Sequence, residues 1–496
     1  MKQYILGLWL ITGIFVASCN DFLEKEPAKS SAQRVETLDD LEAILNEPMT
    51  LHVTSSTVNF YCTDNTEITP EVYKVYKSSL AIESLQQYLW EPEVDAGFDS
   101  YWETCYKAIW NANLIINMVD GMEGDEVRKR NIKAEAYFMR AYKYFMLAQT
   151  YCLHYTETTA GEFGLPLRVG TDFEEGLKRA TLDETYRFIE TDLQEALKIT
   201  TPFTGKRYRA SRASVNAFAA RYYLYRGNYV EAEKCANTAL EENNELVDYT
   251  TIGNYLEMTY SVPMADGSIK QQEVYYPNTV NYSDKEQLEW PEQYLLELEK
   301  EDYWIILPST ELLELYRAYP RDLRYELFVV NGYMNYHGVS EYAWWGYMTF
   351  GQASICSSPS VAEMYQIRAE CKARNNDIAG CMADLEIVRR KRFADEYYQA
   401  LPIPIDKIAA VQAVLDERRR EAPFALRWMD LRRLTSDELM EPVVVKRKFW
   451  PLGENGVDMN ANLIEYELSP GSRRYARPLF EQVVDLSGGQ TLQNQY

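Results

Sequence analysis

Histidine is nearly absent from this chain. His52, His154 and His337 are the only three, and they are too scattered for a His-based metal centre. Cysteine is no better placed for chemistry. Eight are present without a close CxxC pair, and setting aside Cys19 leaves Cys62, Cys105, Cys152, Cys235, Cys356, Cys371 and Cys381, an odd number. Most of these fall on apolar helix faces, where a buried free thiol is the commoner outcome, so neither a disulfide framework nor a thiolate metal site is expected. Also missing are a GxSxG elbow, an HExxH pair and a P-loop, which leaves no marked catalytic residue and no call for a cofactor. Positive charge is in deficit, 51 Lys and Arg against 75 Asp and Glu. That balance argues strongly against a nucleic-acid partner, because phosphate binding depends on basic surface.

Long apolar runs are absent too, except at the start. Lys2 supplies a positive n-region and Ile5 to Ala17 an apolar h-region, too short to span a bilayer, which needs roughly 20 residues. Val16-Ala17-Ser18-Cys19 resembles a bacterial lipobox, in which Cys19 becomes the lipid-modified first residue of the mature protein. The other reading is an ordinary signal peptide followed by an incidental cysteine. Removing residues 1–18 removes one lysine and leaves a net charge of −25. The expected order is then a leader over 1–18, a lipidated polar tether over 19–31, and one continuous body over 32–496, held at a membrane without spanning it. The acidity suits an exported protein with a neutral or cationic ligand.

The body reads as mostly helical. Ala134, Phe138, Ala141, Phe145, Ala148 and Cys152 recur at steps of four and three, one face of a helix with small residues where a neighbour must come close. A second helix is expected over Thr181 to Thr200. Ser214 to Asn243 reads helix, Gly227-Asn228 turn, helix, at tetratricopeptide-like spacing, and the frame recurs at Ala369, Asn376, Ile378, Cys381, Leu385 and Val388. Asn can stand for Gly in a left-handed turn. Such helix pairs, expected within 101–243 and 360–392, stack into a solenoid.

From Leu415 to Leu434 two amphipathic pieces meet at a break. Ile408, Val411 and Leu415 share a face of the first; Phe424, Trp428 and Leu431 share a face of the second. Pro423 disfavours helix in Ala422, so the first piece should end there. Arg418, Arg419, Arg420, Arg427, Arg432 and Arg433 are matched by Glu417, Glu421 and Asp430, and Trp428 should find a partner for its indole N–H. The stretch reads as a salt-bridged corner or as a ligand site.

Between about 247 and 358, Gly, Pro, Asn and Ser interrupt every apolar run, which predicts loops, short helices and small hairpins. Aromatics crowd this insert. A sugar ring can stack its C–H face on an indole or phenol, and its hydroxyls need polar partners. Tyr336, Trp344, Trp345 and Tyr347, beside Asn335 and Glu341, offer both, with Trp90 or Tyr282 as a second wall. Tyr88 and Trp90 precede Pro92 and are expected to be exposed, whereas Trp102, Tyr106 and Trp110, four apart, read as core. In an extended segment Trp344 and Trp345 point to opposite faces, so one can anchor while the other meets ligand. The alternative is that these rings only pin a long loop to the solenoid.

Several of these stretches together resemble the SusD/RagB-like outer-membrane lipoproteins. The run Glu417 to Glu421, then Phe424, then Arg427-Trp428-Met429-Asp430-Leu431-Arg432-Arg433, looks like that family's C-terminal hallmark, one residue shorter here and without its Glu-Gly. Cys19-Asn20-Asp21-Phe22-Leu23-Glu24, Ala134-Glu135-Ala136 through Arg140-Ala141, Leu165-Pro166-Leu167, and Asp192-Leu193 with Glu195-Ala196 are similar to further family segments. Gln493-Asn494-Gln495-Tyr496 is similar to its usual ending, with Gln for Pro-Gly. The resemblance implies a tetratricopeptide-type core, lipidation of Cys19 and a place on the outer-membrane surface. It also implies oligosaccharide capture in partnership with a SusC-like TonB-dependent transporter. Some relatives handle peptides instead. A carboxylate-dependent glycosidase and a purely structural adaptor remain the other readings.

Overall fold

The computed structural model describes residues 35–47, 53–54, 58–77, 80–93, 99–253, 255–282, 286, 289–300, 306–333, 344–349, 354–453 and 456–496. Helices dominate. The first is α1 (Leu38–Leu45), which begins with a reciprocal cap: Thr37 and Asp40 each accept the other's backbone N–H. Its Leu38, Leu41 and Leu45 pack on Ala112, Ile115 and Ala136 from α5 (Ser100–Met118) and α6 (Glu126–Tyr151); the short helices α2 (Val58–Tyr61), α3 (Pro70–Tyr76) and α4 (Ile82–Tyr88) come between. In α6 the expected stripe from Ala134 to Ala148 is buried along its length. α7 (Leu182–Ala196) starts at Thr181 with a second capping box, as its Thr-x-x-Glu sequence dictates.

The two tetratricopeptide-like pairs are α8 (Arg212–Tyr225) with α9 (Tyr229–Glu242), and, beyond the insert, a later pair, Val361–Arg374 with Ile378–Arg389. The first turns at Gly227 with φ +71° and the second at Asn376 with φ +64°. A Cβ on Gly227 would meet nothing within 4 Å, so the left-handed backbone alone asks for glycine there, and Asn376 meets the same demand. The seven described cysteines are free; six are buried and Cys356 is half-buried.

The insert adds α10 (Thr310–Arg317) and α11 (Leu323–Phe328), so the later pair becomes α12 and α13. It also carries small sheets. In chain order the strands up to the end of the insert are β1 (Val53–Thr54), β2 (Phe163–Pro166), β3 (Arg179–Thr181), β4 (Leu256–Pro263), β5 (Ile269–Tyr276), β6 (Leu298–Lys300), β7 (Val329–Tyr333), β8 (Trp344–Tyr347) and β9 (Ser354–Cys356). β4–β5 and β7–β8 are antiparallel pairs, and β6 lies between parallel β1 and antiparallel β9.

The corner forms as two helices, α14 (Lys407–Glu421) and α15 (Arg427–Leu434). The first stops at Ala422, which leaves helical geometry (φ −135°, ψ 59°) before Pro423. One expectation needs correcting: Ile408 is 49% exposed, because it sits in the first turn of α14, ahead of the covered stretch of Ala410, Val411, Val414 and Leu415. The arginines are almost all buried. Glu417 accepts from Arg324 (3.0 Å), Arg389 (2.5 Å) and Arg420 (2.6 Å). Asp430 accepts from Arg418 (3.0 Å) and Arg433 (2.8 Å), and Arg427 grips Asp64 with two bonds of 2.7 and 2.6 Å. Burial alone would raise Glu417, but Arg324, Arg389 and Arg420 outweigh it and hold the carboxyl at about 2. Trp428 donates its indole N–H to the Gln149 carbonyl at 3.1 Å and leans on Tyr475. This stretch is a structural corner, with most of its charges paired inside the fold.

Candidate functional site

The aromatic residues of the insert separate into buried and presented rings. On β8 Trp344 is buried, 7% exposed, the adjacent Trp345 is half-buried, and Gly346 and Tyr347 are buried again. Neighbouring side chains on a strand point to opposite faces, which separates Trp344 from Trp345, and β8 is held antiparallel to β7 through the Asn331–Trp345 and Tyr333–Trp344 registers. Tyr347 is buried against Phe424, ring centroids 4.9 Å apart, and against Phe328. It ties the insert to the Pro423 break. Trp345 instead lies beside half-buried Tyr325 (5.9 Å, 35°) and under the exposed Arg317 guanidinium at 5.2 Å. Arg317 Nε also donates to the Tyr325 hydroxyl at 3.4 Å. Together they form a ledge of one indole, one phenol and one guanidinium at the solvent boundary. Tyr325 and Arg317 were not legible as site residues, because they belong to α11 and α10 and reach Trp345 only through the fold.

The other expected residues fall elsewhere. Asn335, Tyr336, Glu341 and Cys19 lie outside the described residues. Tyr282 is half-buried, with its ring 6.3 Å from Trp290. Tyr88 and Trp90 require a correction, because both are buried, at 2% and 4% exposure. α4 runs through Tyr88, and Trp90 follows in a left-handed conformation (φ +54°) that turns its ring inward. Its indole N–H donates to the Cys62 carbonyl at 2.9 Å, and the Arg447 guanidinium covers both rings, 3.8 Å over Tyr88 and 4.2 Å over Trp90. Trp90 therefore presents no face to a ligand. Trp102 and Tyr106 pack on the core as expected, while Trp110 stacks on Phe173 and donates to the Thr171 carbonyl.

Volume narrows the choice further. A cavity of about 90 Å³ under the insert, lined among others by Trp290, Arg324, Tyr347 and Phe424, is far below the roughly 300–1,000 Å³ of a small-molecule site. A cleft of about 500 Å³ between Glu67, Thr310, Lys446 and Glu465 is large enough. The one aromatic among its described lining residues is Tyr88, whose ring is already covered by Arg447. Among the described carboxyls, Glu299 on β6 is pushed up to about 8 by burial and so is protonated at neutral pH. It is 0% exposed, out of reach of an oligosaccharide. Among the described residues no helix is long and apolar enough to cross a membrane.

Residues 21–224 match the sequence model of a SusD-like family described as starch-binding and associating with the outer membrane. A SusD-like protein of Formosa agariphila is 26% identical over 150 residues, 29% of this chain and 27% of that protein, so the matched part is about a quarter of that relative's length. In fold the chain is similar to a SusD superfamily protein from Bacteroides thetaiotaomicron, with a TM-score of 0.64 and 18% identity over 93% of this chain and all of the other. A laminarin-binding SusD-like protein superposes with a TM-score of 0.55 at 16% identity, over 92% of this chain and 95% of that one.

Proposed function

We propose that this chain, which belongs to the SusD-like family, is a glycan-binding lipoprotein of the outer-membrane surface. It captures oligosaccharide and passes it to a SusC-like, TonB-dependent transporter. The family's description as starch-binding and the laminarin-binding relative favour a neutral glucan among the possible ligands. Cys19 carries the acyl anchor in this reading. The observation that supports the placement of the site is Trp345: a large aromatic left half-open on a strand whose neighbouring Trp344 is buried. Tyr325 and Arg317 hold it from the side, and a rigid ring held this way offers stacking area at low entropic cost. Arg317 can donate to sugar hydroxyls from the same ledge.

The test is calorimetry with laminarin and starch oligosaccharides on the wild type and on Trp345→Ala and Trp344→Ala. Trp345→Ala is expected to lose affinity about tenfold or more at an unchanged melting temperature. Unchanged affinity in Trp345→Ala would move the site off this ledge. Binding of neither glucan by the wild type would redirect the ligand towards peptide.

A further inference from the structure

A third cleft lies away from the insert, where the turn between α8 and α9 meets the end of α15. It measures about 590 Å³ and is bordered by His154, Tyr155, Arg226, Tyr229, Lys407 and Glu438. Its charge balance runs opposite to that of the acidic chain. Arg374 and Arg433 at the cleft are matched, Arg374 with Glu370 and Asp437 (2.8 and 2.7 Å) and Arg433 with Glu370 and Asp430 (2.7 and 2.8 Å). Lys407 and Glu438 are exposed at the rim, and no ion pair joins them.

Arg226 is not matched. Its guanidinium lies 3.8 Å over the ring of Tyr155 and 5.0 Å over that of Tyr186, and among the described residues it makes no ion pair. The phenol of Tyr155 is itself committed to Asp183, at 2.8 Å. Behind the wall, Arg432 is fully buried and donates only to the carbonyl oxygens of Tyr475, Ala148 and Cys152. Two guanidinium charges thus stand beside one open cleft without a carboxylate of their own. His154 registers the resulting field. Burial first, then Arg432, Arg226 and Arg433, hold its imidazole at about 3, so it stays neutral and adds no charge.

We propose that this cleft is an oxyanion site, taking a phosphate, sulfate or carboxylate group against Arg226, with Lys407 supplying a second positive charge from the rim. A guanidinium presents a planar fork of donors that fits such groups, and the rings beneath Arg226 fix its plane. The anion comes either free from solution or as the acid group of a saccharide. The site does not depend on the glycan reading, because its residues are distinct from the ledge at Trp345.

The experiment is a histidine-labelled NMR titration of the intact protein with inorganic phosphate and, separately, with galacturonate, against chloride at equal ionic strength. The chain has three histidines, and His154→Gln assigns the signal. Without the anion, His154 is expected not to titrate down to about pH 5. Millimolar phosphate should shift its signal saturably and bring its protonation into range. Arg226→Met should weaken that binding about tenfold or more, the scale of one charge-assisted contact. Because Arg226 also packs on two rings, Lys407→Glu at the exposed rim gives a second reading and should weaken it as well. Tighter binding of galacturonate than of phosphate assigns a saccharide acid, and the reverse assigns a free anion. A His154 signal unmoved by both probes overturns the site, as does unchanged binding in Lys407→Glu or in a folded Arg226→Met.

Discussion

The corner around α14–α15 and the insert around β7–β8 meet at Phe424 and Tyr347, yet they handle polar and aromatic groups in opposite ways. In the corner, Glu417, Arg418, Arg427, Asp430, Arg432 and Arg433 are each no more than 5% exposed. Glu417 is answered by three guanidinium groups and Asp430 by two. In the insert, the charged groups are sparser along the chain and Trp345 is left half-open between Tyr325 and Arg317. The most chemically conspicuous stretch of the sequence is therefore the least available to a ligand. A charge whose interaction is already satisfied inside the fold has little left to offer outside it.

The largest effect expected from breaking this contrast is at Glu417. Glu417→Gln leaves Arg389, whose remaining acceptor is the Gln399 carbonyl, and Arg420, whose remaining acceptor is the Leu315 carbonyl, both buried without a carboxylate. Removing one partner of a buried ion network costs roughly 3–5 kcal/mol. Urea denaturation should show that loss; a loss below 1 kcal/mol, within the range of surface pairs, would mean the corner is not held by its charges. Next comes Trp344→Ala, which opens a cavity under β8 and should cost about 3 kcal/mol with glycan affinity falling only as far as the strand loosens. If Trp344→Ala abolishes binding at full stability, the two tryptophans have been assigned the wrong way round.

What could be read from the sequence follows the range over which each interaction acts. The break at Pro423, the Thr181–Glu184 cap and the Gly227 and Asn376 turns depend on neighbours within a few residues, and the pattern reveals them. Alternation along Trp344-Trp345 is likewise local. Arg427 pairs with Asp64, Trp428 with Gln149, and Trp90 is covered by Arg447, each across hundreds of residues. No periodicity encodes such contacts. The corner was thus legible as salt-bridged, while its partners outside 415–434 were not. In the same way Trp345 was legible as a candidate, and Tyr325 and Arg317 beside it were not.

A smaller effect separates the two regions by pH. Glu417 is held at about 2 against an ordinary value near 4.5 by its three arginines, overcoming burial. Its contribution to stability is therefore present above about pH 4.5 and lost as pH falls towards 2. Glu299, on β6 of the insert, is shifted the other way, up to about 8 by burial. In the unfolded chain it loses its proton near pH 4.5 and in the folded chain only near 8. Stability from this group therefore falls as pH rises through that interval and stays low above it. Glu299→Gln keeps the shape and can still accept from Asn59, whose amide now lies 3.3 Å from the carboxyl. Melting temperatures across pH 5 to 9 should fall with pH in the wild type and flatten in Glu299→Gln, with little difference between the two near about pH 5. Parallel profiles would show that Glu299 is solvated in a way its burial does not indicate.

The smallest change in stability is expected at Trp345, and it sharpens the contrast most. Its side chain is already partly open, its neighbour Tyr325 is half-buried and Arg317 is exposed, and its backbone is held by the β7–β8 register and not by the indole. Truncation to alanine removes mainly contacts that water can replace, so the cost should be about 1 kcal/mol, against the larger loss at its buried neighbour. The effect on glycan affinity should be the reverse of that order, because the largest ring face on this ledge goes with it. A double change, Trp345→Ala with Arg317→Ala, tests whether the ledge acts as a unit. If sugar sits across both groups, the two losses in affinity will be less than additive, since either one alone already misplaces the ligand. Fully additive losses would place the guanidinium and the indole on separate ligand contacts. A stability loss at Trp345 equal to that at Trp344 would mean that both tryptophans are anchors, and the comparison between corner and insert would collapse into two versions of the same packed interior.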